Sequence, residues 1–253
     1  MPKKNPNPTQ NKWHSHIITA QPDMFPGSLG YSLAARAREN NIWDYTTHNI
    51  HDFGTGAHHK IDDSPYGGGA GLIMRPDIAA AALDSVVALA SSSGADYPIL
   101  MPSPRGVPFT QSRAKTLAAG AGVIFLCTRF EGIDERLMQI RPPESPIIEV
   151  SLGDYILSGG EAAALIILDT TIRLLAGVMG SAQSADDESF EGGLLEHPHY
   201  TKPQIWQGAE VPEVLRSGNH EQIAAWRKAQ AELTTRTRRP DLWAAYNDDK
   251  KET

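Results

Sequence analysis

An alternation of short apolar runs with helical patterns, which continues up to Leu175, constrains the fold of this chain more than any other feature. Five runs are rich in β-branched and aliphatic residues and are bounded by glycine, proline or polar clusters. They predict strands at His16–Ala20, Tyr45–Ile50, Pro98–Met101, Val123–Cys127 and Ile147–Ser151. Helical patterns cover Ser28–Asn40, Asp77–Ser91, Gln111–Ala119 and Glu161–Leu175. The alternation predicts an α/β fold, with a mostly parallel sheet covered by helices on both faces.

The pattern changes after Gly177. Residues Ser181–Gly193 are polar, small and acidic, which is typical of a linker, and two helical patterns follow at Glu221–Glu232 and Asp241–Tyr246 without a convincing strand. The first ten residues are polar and lack an apolar core, so they resemble neither a signal peptide nor a structured element. The sequence therefore predicts a disordered leader at 1–14, an α/β domain at 15–180, a linker at 181–193 and a small helical domain at 194–253.

The net charge of −7 and the pI near 5.7 argue against a chain that is basic throughout and binds nucleic acid over its whole surface. The charge is unevenly distributed, however. Between His197 and Pro240, seven Lys and Arg residues face four Glu residues, which leaves a local charge of +3. The seven are Lys202, Arg216, Arg227, Lys228, Arg236, Arg238 and Arg239. A restricted basic surface is therefore compatible with the acidic total.

The cysteine and hydropathy patterns narrow the class of protein further. Cys127 is the single cysteine, so an intrachain disulfide and a zinc site built from cysteines are excluded, and a reducing cytoplasmic location is expected. The longest apolar run, Ala162–Leu168, is far shorter than the roughly 20 residues that a membrane-spanning helix needs. We expect no membrane partner.

Three glycine-containing or charged loops are the main candidates for a site. They are Tyr66–Gly71, Cys127–Arg136 and Ser151–Glu161, and the last two directly follow predicted strands. The carboxyl ends of parallel strands meet at one edge of a sheet, so these loops indicate one composite pocket. Turning connections also use glycine, and neither a P-loop nor a Rossmann fingerprint is present, so the glycines alone leave both readings open.

The same loops resemble those of the bacterial tRNA (guanine-N1)-methyltransferases of the TrmD type. The matching strings run in order along the chain. They are Asp62–Gly69, Arg129–Arg136, Gly153–Glu161, Glu188–Phe190, Gly193–Leu195, Pro198–Pro203 and Ser217–His220. The resemblance implies a SPOUT-type parallel sheet with a C-terminal trefoil knot, followed by a small helical domain. It also implies a homodimer that binds S-adenosyl-L-methionine in the knot and methylates N1 of the tRNA guanine immediately 3′ of the anticodon.

The chemistry implied by this resemblance needs two catalytic groups. Guanine N1 is a weak nucleophile while it is protonated, so a carboxylate must act as base, and a cation must stabilise the charge that develops on O6. The resemblance places these functions on Glu188, where the family has aspartate, and on Arg173. Asp187 is a reserve for the base. A solvated acidic linker and an arginine that extends to the surface from its apolar helix are the alternatives.

The resemblance also assigns binding residues. Those assigned to the cofactor are Pro102, Pro104, Gly106, Thr128, Leu152, Gly153, Asp154, Tyr155, Ile156, Leu157, Gly159 and Gly160. Those assigned to tRNA are His58, His59, Asp62, Arg129, Glu131 and Lys202. The family has glycine where Thr128 stands, and a side chain there narrows the expected pocket. The family is described as magnesium-dependent, so Mg²⁺ is a further expectation, although the sequence contains no dedicated metal site.

Two rival functions remain open at this point. One is a SPOUT methyltransferase that acts on another base or RNA. The other is a non-catalytic RNA-binding protein of the same fold, which the departures at Thr128 and Glu188 motivate. The adjacent histidines His58 and His59 lack the usual spacing of metal ligands, so they are weak evidence for a metal site.

Overall fold

A computed structural model describes residues 12–92, 94–179 and 189–252. The chain divides into two compact units, one ending at Met179 and the other beginning at Gly180. The strands of the first unit are β1 (Trp13–Thr19), β2 (Trp43–Asn49), β3 (Asp62–Asp63), β4 (Ile73–Met74), β5 (Ile99–Pro108), β6 (Gly122–Leu126) and β7 (Ile147–Ser151).

Five of these strands form one parallel sheet in the order β2-β1-β6-β5-β7. The helices of the first unit are α1 (Ser32–Glu39), α2 (Pro76–Ser91), α3 (Gln111–Ala119), α4 (Arg136–Ile140) and α5 (Gly160–Ile172). One buried cluster joins the sheet to α1, α3 and α5, and a second joins it to α2 and α4. The expected α/β fold with a parallel sheet between helical layers is therefore confirmed.

The amino end of the sheet corrects the predicted leader. Strand β1 begins at Trp13, so Trp13 and His14 belong to the sheet, whereas residues 1–11 lie outside the described part. The Trp13 side chain is buried, and its indole N–H donates a hydrogen bond of 3.0 Å to the carbonyl of Leu117. A buried indole needs such a partner, and this contact fixes the start of the strand.

Two predicted helices are shorter than expected. The region predicted as one helix from Ser28 contains a 3-10 turn at Gly27–Gly30 and then α1, because Tyr31 between them has an extended backbone with φ −129° and ψ 162°. Helix α5 ends at Ile172, and Arg173 is its C-cap rather than part of the helix.

Strand β5 is longer than predicted and is interrupted. It pairs with β7 from Ile99 to Pro102, and the pairing resumes at Val107 with a shift in register. The segment 103–106 therefore bulges out of the sheet between two paired stretches. Prolines usually argue against a strand interior, which is why the sequence predicted an end at Met101.

Over its described residues, 189–252, the second unit contains a short hairpin and two α-helices. They are β8 (Ile205–Trp206), β9 (Ala209–Glu210), α6 (His220–Arg238) and α7 (Pro240–Glu252). Each strand has two residues, too few for a recognisable pattern, and the sequence missed the hairpin. The Asn219 side chain accepts a hydrogen bond from the backbone N–H of Gln222 and so caps α6. In the described residues, no helix combines the length and the apolar character that crossing a membrane requires.

Candidate active site

A cavity of about 380 Å³ lies at the carboxyl ends of β5, β6 and β7. Its wall comes from three stretches of chain, 101–105, 128–133 and 149–160, together with Ala163 of α5. This edge is where ligands bind in open parallel sheets. The second and third stretches belong to the loops that the sequence singled out, so the expected composite pocket has a physical location.

The first stretch is the bulge of β5. Pro102 and Pro104 line the cavity, as does Arg105, which the sequence did not single out. Gly106 does not line it. A side chain at Gly106 would collide with the backbone of Val150 in β7, so this glycine allows two chain segments to cross closely. This close approach packs the bulge against β7, and the assignment of Gly106 to the cofactor stays a prediction.

The second stretch follows β6 and is attached to the glycine-rich loop. Thr128, Phe130 and Glu131 line the cavity. The backbone N–H of Glu131 donates to the carbonyl of Leu72 at 3.0 Å, and that of Met74 donates to Gly132 at 2.9 Å. Strand β4 therefore anchors one end of the glycine-rich loop beside Glu131.

The third stretch follows β7. Seven of the eight residues assigned here line the cavity, namely Leu152, Gly153, Tyr155, Ile156, Leu157, Gly159 and Gly160. Asp154 is exposed and is not among the lining residues, and its assignment to the cofactor stays a prediction. Apolar side chains are exposed in this stretch, with Ile156 at 81% and Tyr155 at 52%.

The turn into α5 depends on two glycines. The backbone N–H of Gly160 donates to the carbonyl of Thr128 at 2.9 Å, and a Cβ at Gly160 would lie 2.9 Å from Cys127 Cα. A Cβ at Gly159 would lie 2.6 Å from Nη1 of Arg129. A larger residue at Gly160 would collide with backbone, whereas one at Gly159 would displace the side chains of Arg129 and Glu161. Burial raises the pKa of the Cys127 thiol well above its usual value, so this thiol is not a nucleophile.

The side chains expected to contact tRNA are dispersed. Glu131 lies in the cavity wall, and Asp62 lies in β3, which pairs with Met74 of β4. His58 is exposed in a turn, whereas the His59 ring is within hydrogen-bond distance of the His51 carbonyl, at 3.1 Å. Lys202 is exposed and belongs to the second unit.

Arg129 is the sixth of these residues, and its contacts are intramolecular. Its Nη1 donates to the carbonyl of Ser158 at 3.1 Å and lies 3.6 Å from Oε2 of Glu161. The guanidinium therefore faces the turn into α5. The sequence did not assign Glu161 to the site, because a glutamate in the first turn of a helix is common on the surface as well.

The structure does not test the two predicted catalytic assignments, Glu188 and Arg173. Glu188, like the reserve Asp187, lies outside the described residues. Arg173 caps the far end of α5. A helix rises 1.5 Å per residue, so Arg173 lies about 20 Å from the end of α5 that lines the cavity. Arg173 is not among the residues that line the cavity, and its catalytic assignment stays a prediction.

Charged residues that the sequence analysis did not assign to the site lie at the bulge of β5, the first stretch of the cavity wall. Arg105 forms ion pairs with Glu149 at 3.2 Å and with Glu135 at 3.4 Å, so it connects the bulge of β5 with β7 and with the loop after β6. Across the described ranges, no three His, Cys, Asp or Glu side chains form a group that could hold a metal ion. Nothing there supports the expectation of Mg²⁺.

Comparison with known proteins gives one family. Residues 14–245 match the model of the family described as tRNA (Guanine-1)-methyltransferase TrmD. A protein from Zymomonas mobilis subsp. mobilis is 57% identical over 230 residues, which cover 91% of this chain and 89% of the relative. A protein from Bartonella bacilliformis is 52% identical over 241 residues, which cover 95% of this chain and 99% of the relative. Both relatives are named tRNA (guanine-N(1)-)-methyltransferase.

Proposed function

Because this chain belongs to the TrmD family of tRNA (guanine-1)-methyltransferases, we propose that it transfers a methyl group from S-adenosylmethionine to N1 of the guanine immediately 3′ of the anticodon. Its activity as a tRNA (guanine-N1)-methyltransferase follows from the family. The identity of the donor and the position of the guanine are the proposed parts. The observation that carries the proposal is the cavity at the carboxyl edge, whose wall contains the loops that match the family's motifs.

The residues of the cavity fit a sulfonium nucleoside. The volume of 380 Å³ falls within the range of about 300–1,000 Å³ that is usual for small-molecule sites. Ile133, Ile156 and Leu157 offer apolar surface, and the close approach at Gly159 and Gly160 leaves backbone at the wall. The carboxylate of Glu131 favours a cation at this edge, whereas that of Glu149 is paired with Arg105.

When bound, S-adenosylmethionine supplies an electrophilic methyl group. The chain must then orient guanine N1 toward it and remove the N1 proton. Glu131 is suited to orienting the guanine, because it lines the cavity and its backbone is anchored to β4. Glu188 is proposed as the base that accepts the N1 proton, and Arg173 as the cation that stabilises negative charge on O6.

A site completed by a second copy of the chain supports these assignments. Arg173 lies about 15 Å along α5 from Ala163 of the cavity wall, which favours an arginine supplied by another chain. Exposed apolar side chains near the cavity and on α5, such as Ile156 and Ile166, favour an interface. We therefore propose a homodimer in which Arg173 of one copy serves the cavity of the other.

The trefoil knot and the function of the second unit remain proposals of the same kind. Close backbone crossings at Gly106 and Gly160 support a threaded chain at the cavity. The local excess of Lys and Arg between His197 and Pro240 supports tRNA binding by the second unit, although Arg216 and Arg239 are paired with Glu210 and Asp241. A tRNA-modifying enzyme of this kind is expected in the cytoplasm.

Methyl transfer to matched tRNA transcripts tests the proposal. Two transcripts would carry guanine or adenine immediately 3′ of the anticodon and be otherwise identical, with radiolabelled S-adenosylmethionine as donor. We expect labelling of the guanine transcript alone, with the methyl group at N1 after digestion. Equal labelling of both transcripts would exclude the proposed position. Binding of tRNA without labelling of either would support the non-catalytic alternative.

A further inference from the structure

We propose that Arg129 is a positioning residue for the loop that holds the methyl donor, rather than a ligand of tRNA, and that the buried Glu161 keeps it there. This inference rests on the proposed function, because it concerns the binding of S-adenosylmethionine. It is carried by the contacts between the second cavity stretch, the turn before α5 and the carboxyl end of β1.

Glu161 is buried in a way that requires a partner. The residue is 0% exposed, and its Oε1 accepts a hydrogen bond of 2.8 Å from Thr19 Oγ1 at the end of β1. Its Oε2 is also buried and accepts no hydrogen bond from the described residues. A carboxylate removed from water is costly unless a charge or a set of donors compensates it.

The compensation comes from two sources. Glu161 lies in the first turn of α5, where the helix dipole favours a negative charge. Nη1 of Arg129 lies 3.6 Å from Oε2, which is an ion pair across the cavity's edge. Since the Arg129 side chain is 26% exposed, its ion pair is shielded from water far more than a surface pair.

The same guanidinium holds the turn into α5. Nη1 of Arg129 donates to the carbonyl of Ser158 at 3.1 Å, and Gly159 leaves the space through which the arginine passes. Gly159 and Gly160 line the cavity, and so do Thr128 and Phe130 on either side of Arg129. The guanidinium therefore joins two walls of the proposed donor pocket, through one hydrogen bond to the turn and one ion pair with Glu161.

Two measurements separate this function from contact with tRNA. For Arg129→Gln and Glu161→Gln, we expect the affinity for S-adenosylmethionine, measured by calorimetry on the full chain, to fall about tenfold, which corresponds to ~1.4 kcal/mol. The salt dependence of tRNA binding should stay as in the wild type. Loss of a phosphate contact would instead reduce the slope of log K against log[salt] by about one.

Steady-state kinetics give a third reading. We expect both variants to raise KM for S-adenosylmethionine while KM for tRNA is unchanged. The double variant should bind the donor no more weakly than either single variant, because the two side chains act through one contact. Arg136→Gln is the matched control, since Arg136 begins α4 directly after the same loop and pairs with Asp134 at 2.7 Å, outside the cavity wall.

The stability of the variants is a separate matter. Arg129→Gln leaves a buried carboxylate without its cation, so the double variant, which removes both charges, is expected to fold better than this single variant. Thr19→Val gives a further test, because valine has nearly the shape of threonine but cannot donate the hydrogen bond to Oε1 of Glu161. This variant should also bind S-adenosylmethionine more weakly than the wild type.

The outcomes distinguish this inference from the proposed function. If the wild type shows no binding of S-adenosylmethionine, the proposed donor is wrong. If the wild type binds it, and folded Arg129→Gln binds it equally well but has a salt slope for tRNA lower by about one, the positioning function is wrong and Arg129 contacts phosphate.

Discussion

The imidazoles of His16 on β1 and His48 on β2 form a pair, with Nδ1 of His16 3.1 Å from Nε2 of His48. The ring of His14 lies 4.7 Å from that of His16, and the ring of Tyr97 meets His16 edge-on at 5.6 Å. One nitrogen of the pair must donate and the other accept, so the contact requires at least one neutral ring. Desolvation by burial, with repulsion from His14 and His48, lowers the pKa of His16 to about 4.

This pair predicts a loss of stability at mildly acidic pH. In the unfolded chain His16 has its ordinary pKa near 6.5, whereas in the folded protein its pKa is about 4. The contribution of neutral His16 to the stability of the fold is therefore complete above pH 6.5 and is lost as the pH falls toward 4. Burial also lowers the pKa of His14 and of His48, and Lys12 and Asp44 act on His14 in opposite directions. We expect the free energy of unfolding, measured with denaturant, to be ~1–2 kcal/mol lower at pH 5 than at pH 7, after allowance for solvent screening.

The variant His16→Gln isolates this effect. Glutamine does not titrate, so the unfolding free energy of this variant should depend less on pH over the same interval. His220→Gln is the control, since His220 is exposed at the start of α6. An unchanged pH dependence in His16→Gln would show that other groups cause the acid sensitivity.

We predict that Gly160→Ala prevents binding of the methyl donor. A Cβ at this position would lie 2.9 Å from Cys127 Cα, and backbone cannot yield as a flexible side chain can. The turn would shift and the hydrogen bond to Thr128 would lengthen. Gly120→Ala is the matched control, because its Cβ would lie at an ordinary 3.4 Å from the Leu117 carbonyl, outside the cavity. Calorimetry with S-adenosylmethionine measures both, and wild-type affinity in Gly160→Ala would contradict the prediction.

We predict that Gly71→Ala slows methyl transfer without weakening donor binding. Gly71 has φ +89°, and its Cβ would lie 2.5 Å from Cγ of Glu131. The substitution is strained and displaces a carboxylate that we assign to the guanine. Single-turnover kinetics should show a lower rate constant at saturating donor, whereas Gly56→Ala, with a similar φ of +73° and open space around it, should not. Equal effects of the two substitutions would point to loop strain alone.

We predict that two inactive variants restore activity when their subunits are mixed. Arg173→Ala removes the cation from one copy, and Gly160→Ala disables the pocket of the other. In a mixed dimer, one site combines an intact pocket with an intact Arg173, so random exchange should recover about a quarter of wild-type activity. If mixed dimers form, as tagged subunits can show, and no activity returns, then Arg173 serves the cavity of its own chain or none.

The central strands and the loops after them could be predicted from the sequence. β6 and β7 are bounded apolar runs, and they are followed by the stretches that form most of the cavity wall. Helix α3 begins at Gln111 and ends at Ala119 as predicted. These features are local, because they depend on the apolar pattern of a few residues and on the glycine, proline or polar residues that bound it.

The features that escaped prediction depend on distant contacts. The continuation of β5 beyond Pro102 depends on its pairing with β7, and the bulge depends on the crossing of Gly106 over Val150. The importance of Glu161 depends on Thr19, which is 142 positions away. None of these contacts is visible in a short window of sequence, since the residues meet only after the sheet has formed.

The strand order also determines when the enzyme can become competent during its synthesis. β1 pairs with β6, so Ile17 has no partner on that side until Phe125 has been synthesised. Thr19 lacks its hydrogen-bond partner until Glu161 has been synthesised, which is later still. Translation adds ~5–20 residues per second, so β1 remains without its second neighbour for several seconds. The cavity at the carboxyl edge, where we propose that the methyl donor binds, is therefore among the last parts of the first unit to form on the ribosome. Until then, the nascent chain must keep an unpaired strand edge from associating with other chains.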